Sequence, residues 1–259
     1  MYFCMHNLQI TIFCRFSMKI YTSRTKSYLS ILCLAIICYT QVCAQDASIL
    51  NYLQQAGIYV EIYNGKREIT YNVSQYENLP YYMNSAFTDA SVIYRKNYYP
   101  NQKARLDLFK EQLIVLSPEK QYGIILNPQL VEKVQMHNKI FVWLDPPKES
   151  GLKTGYYIQL LDGKKTQLLR KENYSFDQRI RESAVVNCFE HKVRHYLSYN
   201  NRYYTVKNKG SFSKIFPQHK KQINSFVHDN RLNFKQNTAE SLISLAAYCE
   251  ELINSTNNQ

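Results

Sequence analysis

Val193-Arg194-His195-Tyr196-Leu197-Ser198-Tyr199, Asn200-Asn201 and Tyr203-Tyr204-Thr205-Val206 together make the stretch whose reading decides the fold. Val193, His195, Leu197 and Tyr199 alternate with Arg194, Tyr196 and Ser198, the period of two that puts successive side chains on opposite faces of a strand. Two asparagines, which tolerate positive φ, stand between the arms, so the stretch predicts a β-hairpin. From about Ser211 the period changes to 3.6, and Phe212, Ile215 and Phe216 fall on one helical face.

The same logic extends towards the N-terminus. Tyr157–Leu161 meets Asp162-Gly163 and returns through Thr166–Leu169. Ile58–Tyr63 runs into Asn64-Gly65 and returns through Lys66–Tyr71, a third expected hairpin. Between them, Leu106–Phe109, Gln112–Leu116, Tyr122–Leu126 and Ile140–Leu144 read as short strands. They are punctuated by Ser117-Pro118, Asn127-Pro128 and His137-Asn138-Lys139, and Asp145–Gly151 reads as a loop. Pro217 fits a first helical turn before Ile223, Phe226 and Val227. Asn237-Thr238-Ala239-Glu240 reads as an N-cap with Glu at N3. Leu242, Leu245, Ala246, Cys249 and Ile253 then form one stripe. The expected class is α+β, mostly β: a curved antiparallel sheet or partly closed barrel with C-terminal helices packed against it. The domain reading is 45–209 for the β domain, 210–254 for the helical segment and 255–259 for a disordered tail.

Residues 1–44 carry no acid and four basic residues, Arg15, Lys19, Arg24 and Lys26, ahead of the apolar run Tyr28–Val42 and Cys43-Ala44-Gln45. That order is a secretory signal with cleavage before Gln45. Met18 offers an internal start that shortens the leader to ordinary proportions. A transmembrane anchor needs about 20 apolar residues, more than this run supplies. Neither Cys38 nor Cys43 has the flanks of a lipid-anchored cysteine. The expected location is therefore outside the cytoplasm: periplasmic, extracellular or outer-membrane associated.

Removing the leader lowers the formal charge from +12 to +8 and leaves two of the seven cysteines, Cys188 and Cys249. An even pair in an oxidising compartment is a candidate disulfide, with two separately buried thiols as the alternative. The basic excess reads as spread along the chain, Lys164-Lys165 and Lys220-Lys221 being among its densest points. It suits a solvated surface or a patch for anionic glycans or membrane phosphates, and export argues against nucleic acid.

Three stretches carry a resemblance: SAFTDASVIYRKNYYPNQKARLDLFKEQLIVLSPEKQYGIILNPQLVEKVQMHNKIFVWL (Ser85–Leu144), TGYYIQLLDGKKTQLLRK (Thr154–Lys171) and RYYTVKNKGSFSKIFPQHKKQINSFVHDNRLNF (Arg202–Phe234). Their rhythm of aromatic and apolar positions resembles a broad group of exported Bacteroidetes proteins. Some of that group are associated with carboxypeptidase-like regulatory domains and outer-membrane uptake systems. The resemblance spans about residues 80–259, implies an envelope location, and assigns no functional residue.

Candidate chemistry is sparse. Cys188, Glu190, His191 and His195 would suit zinc on a helix, but in a strand residues four apart stand about 13 Å from each other, too far to share a metal. The sequence contains no G-x-S-x-G, H-E-x-x-H, P-loop or G-x-G-x-x-G, and implies no cofactor. The tyrosine doublets Tyr81-Tyr82, Tyr98-Tyr99, Tyr156-Tyr157 and Tyr203-Tyr204 should each give one inward and one outward ring. The outward rings are candidates to line a sugar or peptide groove. The expected function is a non-enzymatic envelope module that binds a protein, a glycan or a lipid, with no membrane span after cleavage. A secreted hydrolase with a dispersed site is the alternative. It requires a pocket with at least two convergent, perturbed titratable groups.

Overall fold

The computed structural model describes residues 48–49, 51–52, 54–57, 60–181 and 184–256. The secretory signal, its start and its cleavage site lie outside the described residues. The chain divides into two units, 1–55 and 56–259; of the first, only a few helical residues from Ser48 to Gln55 are described.

In the second unit eleven strands form one open antiparallel sheet in the order β1-β5-β4-β3-β2-β6-β7-β8-β9-β10-β11. They are β1 (Lys66–Arg67), β2 (Thr88–Tyr94), β3 (Asn97–Asp107), β4 (Gln112–Leu116), β5 (Gly123–Ile125), β6 (Val131–Met136), β7 (Lys139–Leu144), β8 (Gly155–Asp162), β9 (Thr166–Arg181), β10 (Ala184–Tyr199) and β11 (Arg202–Val206). From β2 one meander runs outward through β5. A 3-10 turn at Pro128–Leu130 then brings the chain back, and a second meander leaves from the other edge of β2. The sheet curls: the β3–β4 turn carries Glu111 to within 2.5 Å of Lys171 on β9, five strands from β3.

Local chemistry accounts for the sharp reversals. Arg95-Lys96, His137-Asn138 and Asn200-Asn201 all have positive φ at both positions, the backbone of a two-residue type I′ turn. Arg95 and Lys96 are unusual there. Their turn is held by the Lys96 N–H donating to Glu132 Oε1 at 2.8 Å and by the Arg95–Glu61 ion pair.

The first expected hairpin does not form. Glu61–Tyr63 is a 3-10 turn, and Lys66-Arg67 pairs with Ile124-Ile125 of β5. Gly65 is needed for close approach, not for a turn, since a Cβ there would collide with the Ile125 carbonyl oxygen. The other two hairpins stand as β8–β9, turning at Asp162-Gly163, and β10–β11, turning at Asn200-Asn201. A further, longer hairpin that the sequence reading does not include joins β9 to β10, which pair without a break from Thr166↔Tyr199 to Arg181↔Ala184.

The helices α1 (Lys209–Ile215), α2 (Lys220–Asp229) and α3 (Thr238–Thr256) follow the last strand. The stripe Leu242, Leu245, Ala246, Cys249 and Ile253 is buried against Leu168, Leu197 and Val206 of the sheet and Phe212, Phe216 and Ile223 of the first helices. Side chains fill this layer. Glu250 fixes the register of α3 by accepting from the Lys165 N–H (2.9 Å) and Thr166 Oγ1 (2.6 Å) at the β8–β9 turn.

Cys188 and Cys249 are free and buried, which corrects the candidate disulfide. Cys249 lies in the helix–sheet core beside Leu197, whereas Cys188 is nine residues farther back along β10, about 30 Å at strand rise.

Candidate functional site

The sheet positions a groove outside its last strand. One wall is the β11–α1 connection, Lys207 to Gly210, and the other runs from Val227 at the end of α2 through His228 to Lys235. The space between them is about 830 Å³. Val227, Leu232 and Phe234 form a half-buried apolar floor that continues into the helix–sheet core. Lys207, Lys209, Arg231 and Lys235 stand exposed around it.

Short-range hydrogen bonds set both walls. Asn208 Oδ1 accepts from the Gly210 and Ser211 N–H groups at 3.0 and 3.3 Å, capping α1. Asn233 Oδ1 accepts from the Lys235 and Gln236 N–H groups at 3.0 and 3.1 Å. Between them α2 ends in a Schellman motif. The Leu232 N–H donates to the Val227 carbonyl (3.0 Å) and the Arg231 N–H to the His228 carbonyl (3.1 Å). The left-handed position of that motif normally belongs to glycine; here it is Arg231, at φ 51°. A side chain there costs roughly 1 kcal/mol relative to glycine.

The electrostatics are one-signed. From Lys207 to Lys235 the chain has seven Lys and Arg and a single acid, Asp229, which pairs with His228 at 3.1 Å. These 29 residues therefore carry +6 of the +8 that remains beyond residue 44. The basic excess expected to be spread along the chain is thus concentrated here, and Lys220-Lys221, one of its expected dense points, falls within this stretch. Among the described residues, no carboxylate pairs with Lys207, Lys209, Arg231 or Lys235. Elsewhere most charges of the longest strands are paired, as at Arg105–Glu68, Arg170–Glu172, Lys171–Glu111 and Arg179–Asp177, with Arg194 on β10 an exception among the described residues.

The candidate tyrosines are mostly framework. Tyr81 is buried with its OH donating to Glu68 Oε1 (2.9 Å) and its ring under Arg105; Tyr82 packs edge-on to Phe141. Tyr156 lies against Trp143, and Tyr157 packs on Tyr196 with its OH donating to the Lys153 carbonyl. Only Tyr98-Tyr99 shows the expected split, Tyr98 outward and Tyr99 buried; Tyr203 and Tyr204 are both half-buried. The split fails at Tyr156-Tyr157 because β8 is covered on both faces, and at Tyr81-Tyr82 because that segment makes one isolated bridge and no strand. None of the eight lines the groove.

The titratable cluster on β9 and β10 lies elsewhere. His191 and His195 are on a strand. His191 Nε2 is 3.0 Å from Glu172 Oε2, while His195 faces Arg170, and burial beside that guanidinium holds its imidazole down at about 4. Burial also pushes the Glu111 and Asp107 carboxyls up and the Lys171 ammonium down. None of these groups lines the basic groove, or a second, polar groove of about 690 Å³ between Gly163–Lys165 and Ser198–Asn201. The basic groove can hold an anion by charge and an apolar or sugar face by contact.

No family model, no curated protein and no solved structure matches this chain.

Proposed function

We propose that this chain is an exported, non-enzymatic binding module whose groove between Lys207–Gly210 and Val227–Lys235 takes an anionic glycan. The observation that carries the reading is a set of four cationic side chains without carboxylate partners around a half-buried apolar floor. A sugar acid presents both an apolar ring face and a charge, and Val227, Leu232 and Phe234 match the first while the lysines and Arg231 match the second. The left-handed Arg231 supports it further, since strain retained at one residue marks a position kept for its side chain. The hydrolase reading is less well supported, because the groups with perturbed ionisation lie outside both grooves.

Titration with a labelled oligogalacturonate, with neutral dextran of equal length as control, tests this. The acidic oligosaccharide should bind at low salt, weaken steadily as salt rises, and outcompete dextran. Equal binding of both, or no dependence on salt, would sink the reading.

A further inference from the structure

Beyond Arg170, β9 parts from β8, and the β9–β10 hairpin continues as a two-stranded arm. A segment around Tyr76 packs on one face of the arm, and the bonds between Asn78 and Phe189 tie that segment to β10. Among the described residues, no backbone pairs with the outer edge of β9 from Asn173 to Arg181. That edge holds no proline or bulge; of the devices that commonly protect an edge strand it has charge alone, at Asp177, Arg179 and Arg181. The apolar face of the arm, covered by Tyr76 at Phe189 and partly at Phe176, is open toward the tip: Phe176 is 47% exposed, Ile180 81% and Val185, opposite Ile180, 67%.

We infer that a second copy of this chain covers this edge, β9 pairing antiparallel with its own copy about a two-fold axis at Gln178. The sequence of the edge selects that register. With Gln178 facing itself, Asp177 of each copy lies opposite Arg179 of the other, so the Asp177–Arg179 pair within each chain (3.2 Å) becomes a four-charge cluster of alternating sign, and Phe176 lies opposite Ile180. The in-chain pairs Phe176↔Phe189 and Ile180↔Val185 then extend each contact into an unbroken apolar row, Val185–Ile180 followed by Phe176–Phe189 of the second copy. Moving the axis one residue either way sets Asp177 against Asp177 or Arg179 against Arg179. It also places Phe176 or Ile180 opposite a polar residue or the tip of the arm. The arrangement is isologous, so every favourable pair off the axis occurs twice, and it gives the edge backbone partners, the Gln178 N–H exchanging the Asp177 Oδ1 to which it donates at 2.9 Å in the single chain. The dimer would present two basic grooves from one assembly, although its formation does not depend on what the groove binds.

Sedimentation velocity over a concentration series, with cysteine cross-linking, tests the inference. The purified protein should show a reversible monomer–dimer equilibrium. Arg179→Asp should weaken dimerisation about tenfold or more, and the swap Asp177→Arg with Arg179→Asp should restore it. Gln178→Cys should cross-link to a covalent dimer on oxidation, because paired Cα atoms across the axis sit about 4.5–5.5 Å apart. Arg181→Cys, about 20 Å from its mate, should not. Gln178 is exposed and polar, so its replacement leaves the fold intact, and circular dichroism checks each variant. A monomer at every concentration, a dimer indifferent to Arg179→Asp, or cross-linking at Arg181→Cys equal to that at Gln178→Cys would overturn it.

Discussion

Lys171 Nζ lies 2.5 Å from Glu111 Oε1 and 2.9 Å from the Tyr156 carbonyl oxygen, in a residue only 2% exposed. Glu111 Oε2 in turn accepts from the Tyr156 N–H at 2.7 Å, the backbone group left over where β8 and β9 part. The pair fastens the β3–β4 turn to β9 and so maintains the curl of the sheet.

Breaking that pair from one side should be expensive. Glu111→Ala leaves a buried ammonium without its counter-ion and should lower stability by about 3–5 kcal/mol in urea unfolding. Glu111→Leu with Lys171→Met should recover most of the loss. Gly155→Ala should also destabilise, because φ there is +146° and a Cβ would strike Glu111. Equal stability of Glu111→Ala and the unmodified protein would contradict this role.

His195 gives a pH dependence of definite sign. Its folded-state pKa, about 4, lies below the ordinary 6.5, so the unfolded chain takes up the proton first as pH falls. The contribution is fully present above pH 6.5, declines through the interval, and is lost as pH falls through about 4. Glu111 and Asp107, with raised pKa values, act in the opposite direction, so the test is a difference. Stability of the unmodified protein minus that of His195→Gln should shrink between pH 6.5 and 4. A constant difference would show that His195 is not held neutral.

Both remaining cysteines should be silent in the folded state. Cys249 is buried in the helix–sheet core, its thiol pushed up to about 12, and Cys188 is 3% exposed. A thiol reagent should find no reactive group among residues 45–259 until the protein is unfolded, then two. Addition of reductant should leave the melting temperature unchanged.

The parts of the fold that could be read from the sequence are those fixed by local patterns. The α3 stripe from Leu242 to Ile253 follows from period alone, and Asn200-Asn201 announces its own turn. Ile58–Tyr71 misleads because Asn64-Gly65 has the chemistry of a hairpin turn, while tertiary contact with Ile125 uses Gly65 for its missing Cβ. The sequence reading assigns no element to the arm, Asn173–Arg181 and Ala184–Lys192, because the alternation of Tyr174, Phe176 and Ile180 with polar residues is interrupted at Gln178 and no Gly, Pro or Asn marks the turn between the two strands. The groove left a signal, seven basic residues against one acid from Lys207 to Lys235, but spacing along the chain obscured it. Only the fold of α1 and α2 brings Lys207 and Lys209 beside Arg231 and Lys235.

Arg231 separates stability from binding. Arg231→Gly relieves the left-handed backbone and should raise stability by up to about 1 kcal/mol. The same change removes a cation from the groove and should weaken oligogalacturonate binding several-fold. A variant that gains stability without losing affinity would place the ligand elsewhere.

The groove is tested most directly by two charge reversals of equal size. Lys207→Glu with Arg231→Glu changes the groove, whereas Lys164→Glu with Lys165→Glu changes the β8–β9 turn beside the other groove. Both shift the net charge by −4, and oligogalacturonate affinity is measured at one fixed salt concentration. The groove pair should lose at least about tenfold and the turn pair at most about twofold. Equal losses in the two variants would mean that attraction follows total charge, and the groove would not be the binding site.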